Sequence, residues 1–120
     1  METVGLDEAF DAIDEHWSPR LAAELNGQAV KLATAEGAFT WHHHPDADEL
    51  FLVREGRLRI ELRDEEEITL GPGEMVVVPR GVEHRPVAEE EVRMLLFEQQ
   101  GTRNTGTVEN EQTHTDLERV

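Results

Sequence analysis

Residues 37–56 read GAFTWHHHPDADELFLVREG, and the layout of this stretch decides the fold. A strand points alternate side chains to one face. If residues 39–44 are extended, His42 and His44 share one face, while Trp41 and His43 share the other. Pro45-Asp46 marks a turn, and Leu50-Phe51-Leu52-Val53 reads as the next strand, closed by a turn at Glu55-Gly56. Glu49 opens that strand, where it can lie across from the histidine pair. Asp46 and Asp48 read as solvated turn residues, with Asp48 an alternative carboxylate to Glu49. A one-residue slip in register would exchange His43 with its neighbours.

Working outward, the pattern stays β. Ala29 to Ala33 looks like a strand, turned at Glu36-Gly37 into Ala38 to His42. Arg57-Leu58-Arg59-Ile60-Glu61-Leu62 alternates strictly and predicts a half-buried strand with Leu58, Ile60 and Leu62 inward. The outward Arg57 and Arg59 are expected to pair with nearby glutamates. Ile68-Thr69-Leu70 runs into the turn Gly71-Pro72-Gly73. Met75 to Val78 is a β-branched run ended by Pro79, and a further turn falls at Arg80-Gly81. His84 to Val87 and Val92 to Phe97 read as two more strands. Short strands spaced by glycine turns predict an all-β sandwich or small barrel. Phe39, Trp41, Phe51, Met75 and Met94 are expected in its core.

The ends differ from the middle. Residues 7–24 predict a helix or two short helical turns, with Asp7 as N-cap and Phe10, Ile13 and Trp17 at helical spacing, interrupted at Ser18-Pro19. Residues 101–120 are polar without periodicity, and wrap the barrel or lack fixed structure. The expected division is a helical segment at 1–26, a barrel at 27–100 and a polar tail at 101–120.

Composition excludes several classes. A chain of 120 residues suits one domain and can bury a core without staples. There is no cysteine, hence no disulfide, thiolate metal site or thiol nucleophile. No apolar run has the length of a membrane span, and METVGLDEAF has no apolar signal core. A cytoplasmic location is the expectation. Asp and Glu number 27 against 11 Lys plus Arg, giving a net charge of −16. Such a surface repels phosphate backbones and argues against nucleic acid as partner. Acid-rich and with Lys31 its only lysine, it is also expected to gain stability from salt.

Two imidazoles and a carboxylate, joined by a third imidazole, suit Fe(II), Mn(II), Ni(II), Cu(II) or Zn(II). The further histidine best placed is His84, after a turn that returns the chain to the same end of the barrel. His16 and His114 stand alone in polar contexts and read as structural or surface residues.

At these residues the sequence resembles the cupins. The first cupin motif reads here Gly37-AFTW-His42-His43-His44-PDAD-Glu49-LFLVRE-Gly56, its leading glycine one residue closer than in the commonest form. The second reads Gly73-EMVVV-Pro79-Arg80-Gly81-VE-His84-RPV-Ala88, with alanine where the family often has asparagine. Both motifs occur in order, with a short segment between them, as in small single-domain microbial cupins. The resemblance implies a jelly-roll-like barrel of six to eight strands with a divalent transition metal held by His42, His44, Glu49 and His84. It also implies a homodimer.

Two functions follow as expectations. One is a small metal-dependent enzyme of dioxygenase or isomerase type acting on a small organic molecule at the barrel mouth. Arg54, Arg80 and Arg85 would then be candidates to line the site if the substrate were a phosphate ester. The other is a non-catalytic small-molecule or metal-binding module.

Overall fold

The computed structural model describes residues 1–120. A single α-helix, α1 (Leu6–Asp11), precedes seven strands: β1 (Arg20–Leu25), β2 (Gln28–Ala38), β3 (Glu49–Glu55), β4 (Leu58–Leu62), β5 (Ile68–Leu70), β6 (Met75–Val78) and β7 (His84–Gln99). All pairings are antiparallel, in the order β1-β2-β7-β3-β6, with β4 joining β5 to the first part of β7. No helix is long and apolar enough to cross a membrane.

The 16-residue β7 organises the barrel. Its first part, from His84, pairs with β4 and with the end of β2; its second part, from Val92, pairs with the rest of β2 and with β3. Glu89, Glu90 and Glu91 lie exposed between the two parts. The expected pair of strands at 84–87 and 92–97 is thus one continuous strand. A bend lets both of its parts turn an apolar row inward.

Sequence and structure differ elsewhere too. Only Leu6–Asp11 is helical, started at Gly5 rather than Asp7, and Arg20–Leu25 pairs with β2 as an edge strand. RLAAEL has good helix formers, and cross-strand pairing overrides that preference. The expected turn at Glu36-Gly37 lies within the continuous β2, where the register with β7 shifts: Glu36 alone stands against Glu89, Glu90 and Glu91, so the bulge belongs to β7. Gly37 has φ +87°, open to glycine at no steric cost. Residues 101–120 wrap the barrel: Asn110 and Gln112 bond to Thr40, and the backbone of Val120 to that of Leu21.

The core joins Val53, Leu58, Ile60, Val92, Ala33 and Ala35 to Phe39, Phe51, Met94 and Leu96. Each large side chain fully withdrawn from water contributes about 1.5–3 kcal/mol. Leu58 and Ile60 are buried as expected, with Leu62 packed at the edge. Arg59 pairs with Glu61, Glu67 and Glu89. Met75, expected in the core, is 62% exposed, because register with Leu52 turns it to the outer face. Trp41 is also outside, its ring covered by the Arg63 guanidinium 4.1 Å away.

Candidate metal centre

Three parts of the chain meet at one end of the barrel. Residues 42–44 follow the end of β2, Glu49 begins β3, and His84 begins β7. A pair of backbone hydrogen bonds joins the outer two parts: the N–H of His42 donates to the carbonyl of His84 at 3.0 Å, and the N–H of His84 to that of His42 at 2.9 Å. The N–H of Gly81 donates to the carbonyl of His44 at 2.8 Å, which fastens the Arg80-Gly81 turn to the histidine segment.

The alternation read from the sequence holds here. His42, His44, Glu49 and His84 are buried, whereas His43 is half-buried and Asp46 and Asp48 are exposed. Ligand-type atoms of the four buried residues lie within 4.8 Å of one another. Asp48, the alternative carboxylate, is occupied elsewhere: it accepts hydrogen bonds from the Arg80 backbone N–H at 2.9 Å and from its guanidinium. Those bonds hold its carboxyl below the usual range.

Each tautomer is set by the backbone. Nδ1 of His42 lies 2.7 Å from the carbonyl oxygen of Thr40, and Nδ1 of His84 lies 2.9 Å from that of Val82. A carbonyl oxygen only accepts, so each Nδ1 carries the hydrogen and each neutral ring leaves a lone pair on Nε2. Burial and the neighbouring His84 push the His42 pKa down to about 4, so the neutral form prevails at ordinary pH. Burial alone would push the Glu49 carboxyl up; the His44, His84 and Glu98 side chains set beside it override that and hold Glu49 well below its ordinary value. Neutral imidazoles and an ionised carboxylate are the protonation states in which these groups bind a cation.

Nε2 of His44, Oε1 of Glu49 and Nε2 of His84 are buried without a hydrogen-bond partner. Buried polar atoms rarely stay unpartnered. Glu49 Oε1 lies 3.3 Å from Nε2 of His44 and 3.6 Å from Nε2 of His84, so the orphaned atoms converge on one point. A transition metal bonds such atoms at about 2.0–2.2 Å. The donor set is compatible with a divalent transition metal.

Two further features stand beside the cluster. Opposite Glu49 on β7 stands Glu98, also buried, which takes a hydrogen bond from the buried Lys31 at 2.7 Å. On the other side a cavity of about 30 Å3 opens against His42 and Glu49. Trp17, Phe39, Phe51, Met94 and Leu96 form its wall, and Asn104 of the C-terminal segment closes it. Trp17, expected on a helix, instead adopts φ +61°, stacks on Phe39 at a ring separation of 4.9 Å and donates its indole N–H to the carbonyl of Glu36. Neither Trp17 nor Asn104 carries a local signal for this position; tertiary packing puts them there.

The arginines proposed for anion binding are elsewhere. Arg54 pairs with Asp7, Arg80 with Asp48 and Arg85 with Glu61, and none lines the cavity. His16 bonds Glu91 at 2.8 Å, and His114 lies 3.8 Å from Glu15; both stand apart from the cluster.

The fold has close counterparts. A cupin-2 domain containing protein from Shewanella frigidimarina NCIMB 400 is 46% identical, with a TM-score of 0.78 over 81% of this chain and 94% of that one. Protein NMB1881 from Neisseria meningitidis is 33% identical, with a TM-score of 0.76 over 82% and 99%. The uncharacterized protein YdbB of Bacillus subtilis (strain 168) is 44% identical over 63 residues, 52% of this chain and 56% of that protein. The match thus spans about half the length of this curated relative. The family model for the cupin domain, Cupin_2, matches residues 28–98, and with that span and those relatives the chain belongs to the cupin family.

Proposed function

We propose that His42, His44, Glu49 and His84 hold a divalent transition metal and that the protein is a small metal-dependent oxygenase acting on a small, uncharged organic molecule. The observation that carries this reading is the cavity: an aromatic and aliphatic wall directly against two of the four candidate ligands. Held there, a redox-active divalent metal would supply Lewis acidity and one-electron chemistry. The chain's own residues do the rest. The backbone carbonyls of Thr40 and Val82 keep two imidazoles in the ligating tautomer, and Trp17 and Phe39 exclude water from the approach.

Isomerase chemistry is less well supported. It needs an acid and a base facing the substrate, and besides the candidate ligands only Asn104 brings a polar side chain to the cavity. Phosphorylated substrates lack a cation to receive them. A non-catalytic metal-binding module is the second reading, favoured by the small size of the cavity, which at about 30 Å3 holds one or two waters.

The test is oxygen uptake by protein loaded separately with Fe(II), Mn(II), Ni(II) or Cu(II), offered small phenols, thiols and diketones. Uptake that depends on the organic substrate and disappears in Glu49→Ala is expected. Conversion of a substrate without O2 would move the assignment to an isomerase. Silence with every metal, together with tight binding of one metal, would favour the module.

We also propose a homodimer formed through the outer sheet face. Two cross-strand rows there, Val30-Phe97-Leu50-Val77 and Leu32-Leu95-Leu52-Met75, carry no charge in a chain of net charge −16. Helix α1 packs against β2 at one side of that face. Val77 remains 51% exposed at the other, an apolar face suited to a second copy. Light scattering is expected to give a dimer for the wild type and a monomer for Val77→Asp; a wild-type monomer at micromolar concentration would refute it.

A further inference from the structure

Lys31 is the only lysine of the chain, and in so acidic a protein a lone amine would be expected on the surface. It is instead 4% exposed, and its partner Glu98 is 2% exposed. Lys31 Nζ donates to Oε1 of Glu98 at 2.7 Å and to the carbonyl of Thr102 at 3.0 Å. Burying an amine and a carboxyl together is costly, and apolar residues of similar volume would often serve stability as well. The pair therefore calls for a role beyond packing.

Its position supplies one. Glu98 and Glu49 are directly paired residues of β7 and β3, both pointing inward. Oε2 of Glu98 is buried without a partner, as is Oε1 of Glu49. Lys31 holds one oxygen of Glu98 and leaves the other to face the Glu49 carboxyl. Thr102 fixes the amine from the opposite side, so the arrangement is anchored at both ends.

We propose that Glu98, held by Lys31, is a positioning residue that fixes the Glu49 carboxyl in the orientation in which it shares a metal with the three histidines. The inference rests on the reading of the cluster as a metal site. Glu98 stands outside the four-residue cluster and acts through Glu49. Outer partners of metal-binding side chains commonly change affinity by about 10–100-fold when removed.

The experiment is titration of the chelated full chain with Co(II), read by calorimetry and by the visible absorption bands, which report ligand geometry without any turnover. Glu98→Ala is expected to weaken Co(II) binding by about 10–100-fold and to shift the bands. Glu98→Gln keeps a group able to accept from Lys31 and donate to Glu49, and is expected to restore affinity to within about threefold of wild type together with its spectrum. Should Glu98→Ala fail to fold, Lys31→Met, which frees Glu98 from its anchor, is expected to weaken binding and broaden the bands. Wild-type affinity and spectrum in Glu98→Ala, or in Lys31→Met where that variant decides, would overturn the inference. So would a loss in Glu98→Gln equal to that in Glu98→Ala, since charge rather than position would then matter. A wild-type protein that binds no Co(II) would instead overturn the metal site itself.

Discussion

His42 and His84, 42 positions apart in sequence, exchange both of their backbone hydrogen bonds, at 3.0 and 2.9 Å, and bring their imidazole centres to 4.4 Å. The bridge makes the two halves of the cluster one unit: neither histidine moves without dragging the other's backbone. Each ring is further tied by Nδ1 to a carbonyl two residues before it. Pre-organisation of this kind lowers the cost of binding, because the ordering is already done in the folded chain.

Removing one member of the cluster should therefore act on metal affinity far more than on the fold. His84→Ala is expected to lower the affinity for Ni(II) or Co(II) by at least about 100-fold, more than the loss of an outer partner. Calorimetric titration checks it, with circular dichroism to show the barrel intact. Undiminished stoichiometric binding would remove His84 from the ligand set.

Acid should destabilise the metal-free protein. The His42 pKa is about 4 when folded against 6.5 ordinarily. Between those values the unfolded chain binds the extra proton, so stability rises with pH across the window and is fully present above it. Falling pH removes it, by about 3 kcal/mol for a difference of this size. Glu49, held low in the fold, acts in the same direction. Urea midpoints of chelated protein should hold level from pH 7.5 to about 6.5 and fall steadily from there to about pH 4.5, and a profile flat throughout would refute the assignment.

Gly106 locks the C-terminal segment against the histidine loop. Its φ is +60°, and a Cβ there would meet the carbonyl oxygen of His43 at 2.0 Å. Gly106→Ala is expected to cost about 1–3 kcal/mol through strain and to release the segment that carries Asn104. Thermal unfolding gives the first quantity; faster proteolytic trimming of residues 101–120 at native temperature reports the second.

Salt should stabilise the fold. Arg54, Arg59, Arg80 and Arg93 already pair with carboxylates, and the remaining excess of negative charge repels itself until screened. The melting temperature is expected to rise from low salt to about 1 M NaCl. A flat or falling curve would show that repulsion is unimportant.

The barrel and the four-residue cluster were legible because strand parity is a strict rule. Alternation separated His42 and His44 from His43, and the glycine- and proline-marked turns bounded β3 to β6 close to where they lie. Legibility failed where tertiary pairing outweighed local preference. Arg20–Leu25 is composed of helix formers yet completes a sheet edge. Met75 lies in a continuous β-branched run, which has no polar alternation to say which face is inward. Glu98 was within reach of the same parity rule: Val92, Met94, Leu96 and Glu98 all point inward. An isolated glutamate at the end of an apolar strand, however, reads by default as a solvated cap. Trp17 and Asn104 reach the cavity from segments whose paths only the assembled structure defines.

The burial of Lys31 has a practical corollary. In its folded form the protein exposes no side-chain amine, so acylating or cross-linking reagents aimed at lysine find no target on the barrel surface. Modification of Lys31 requires the interior to open, and mass spectrometry of that single site during timed labelling becomes a clock for the opening of the barrel next to Glu98.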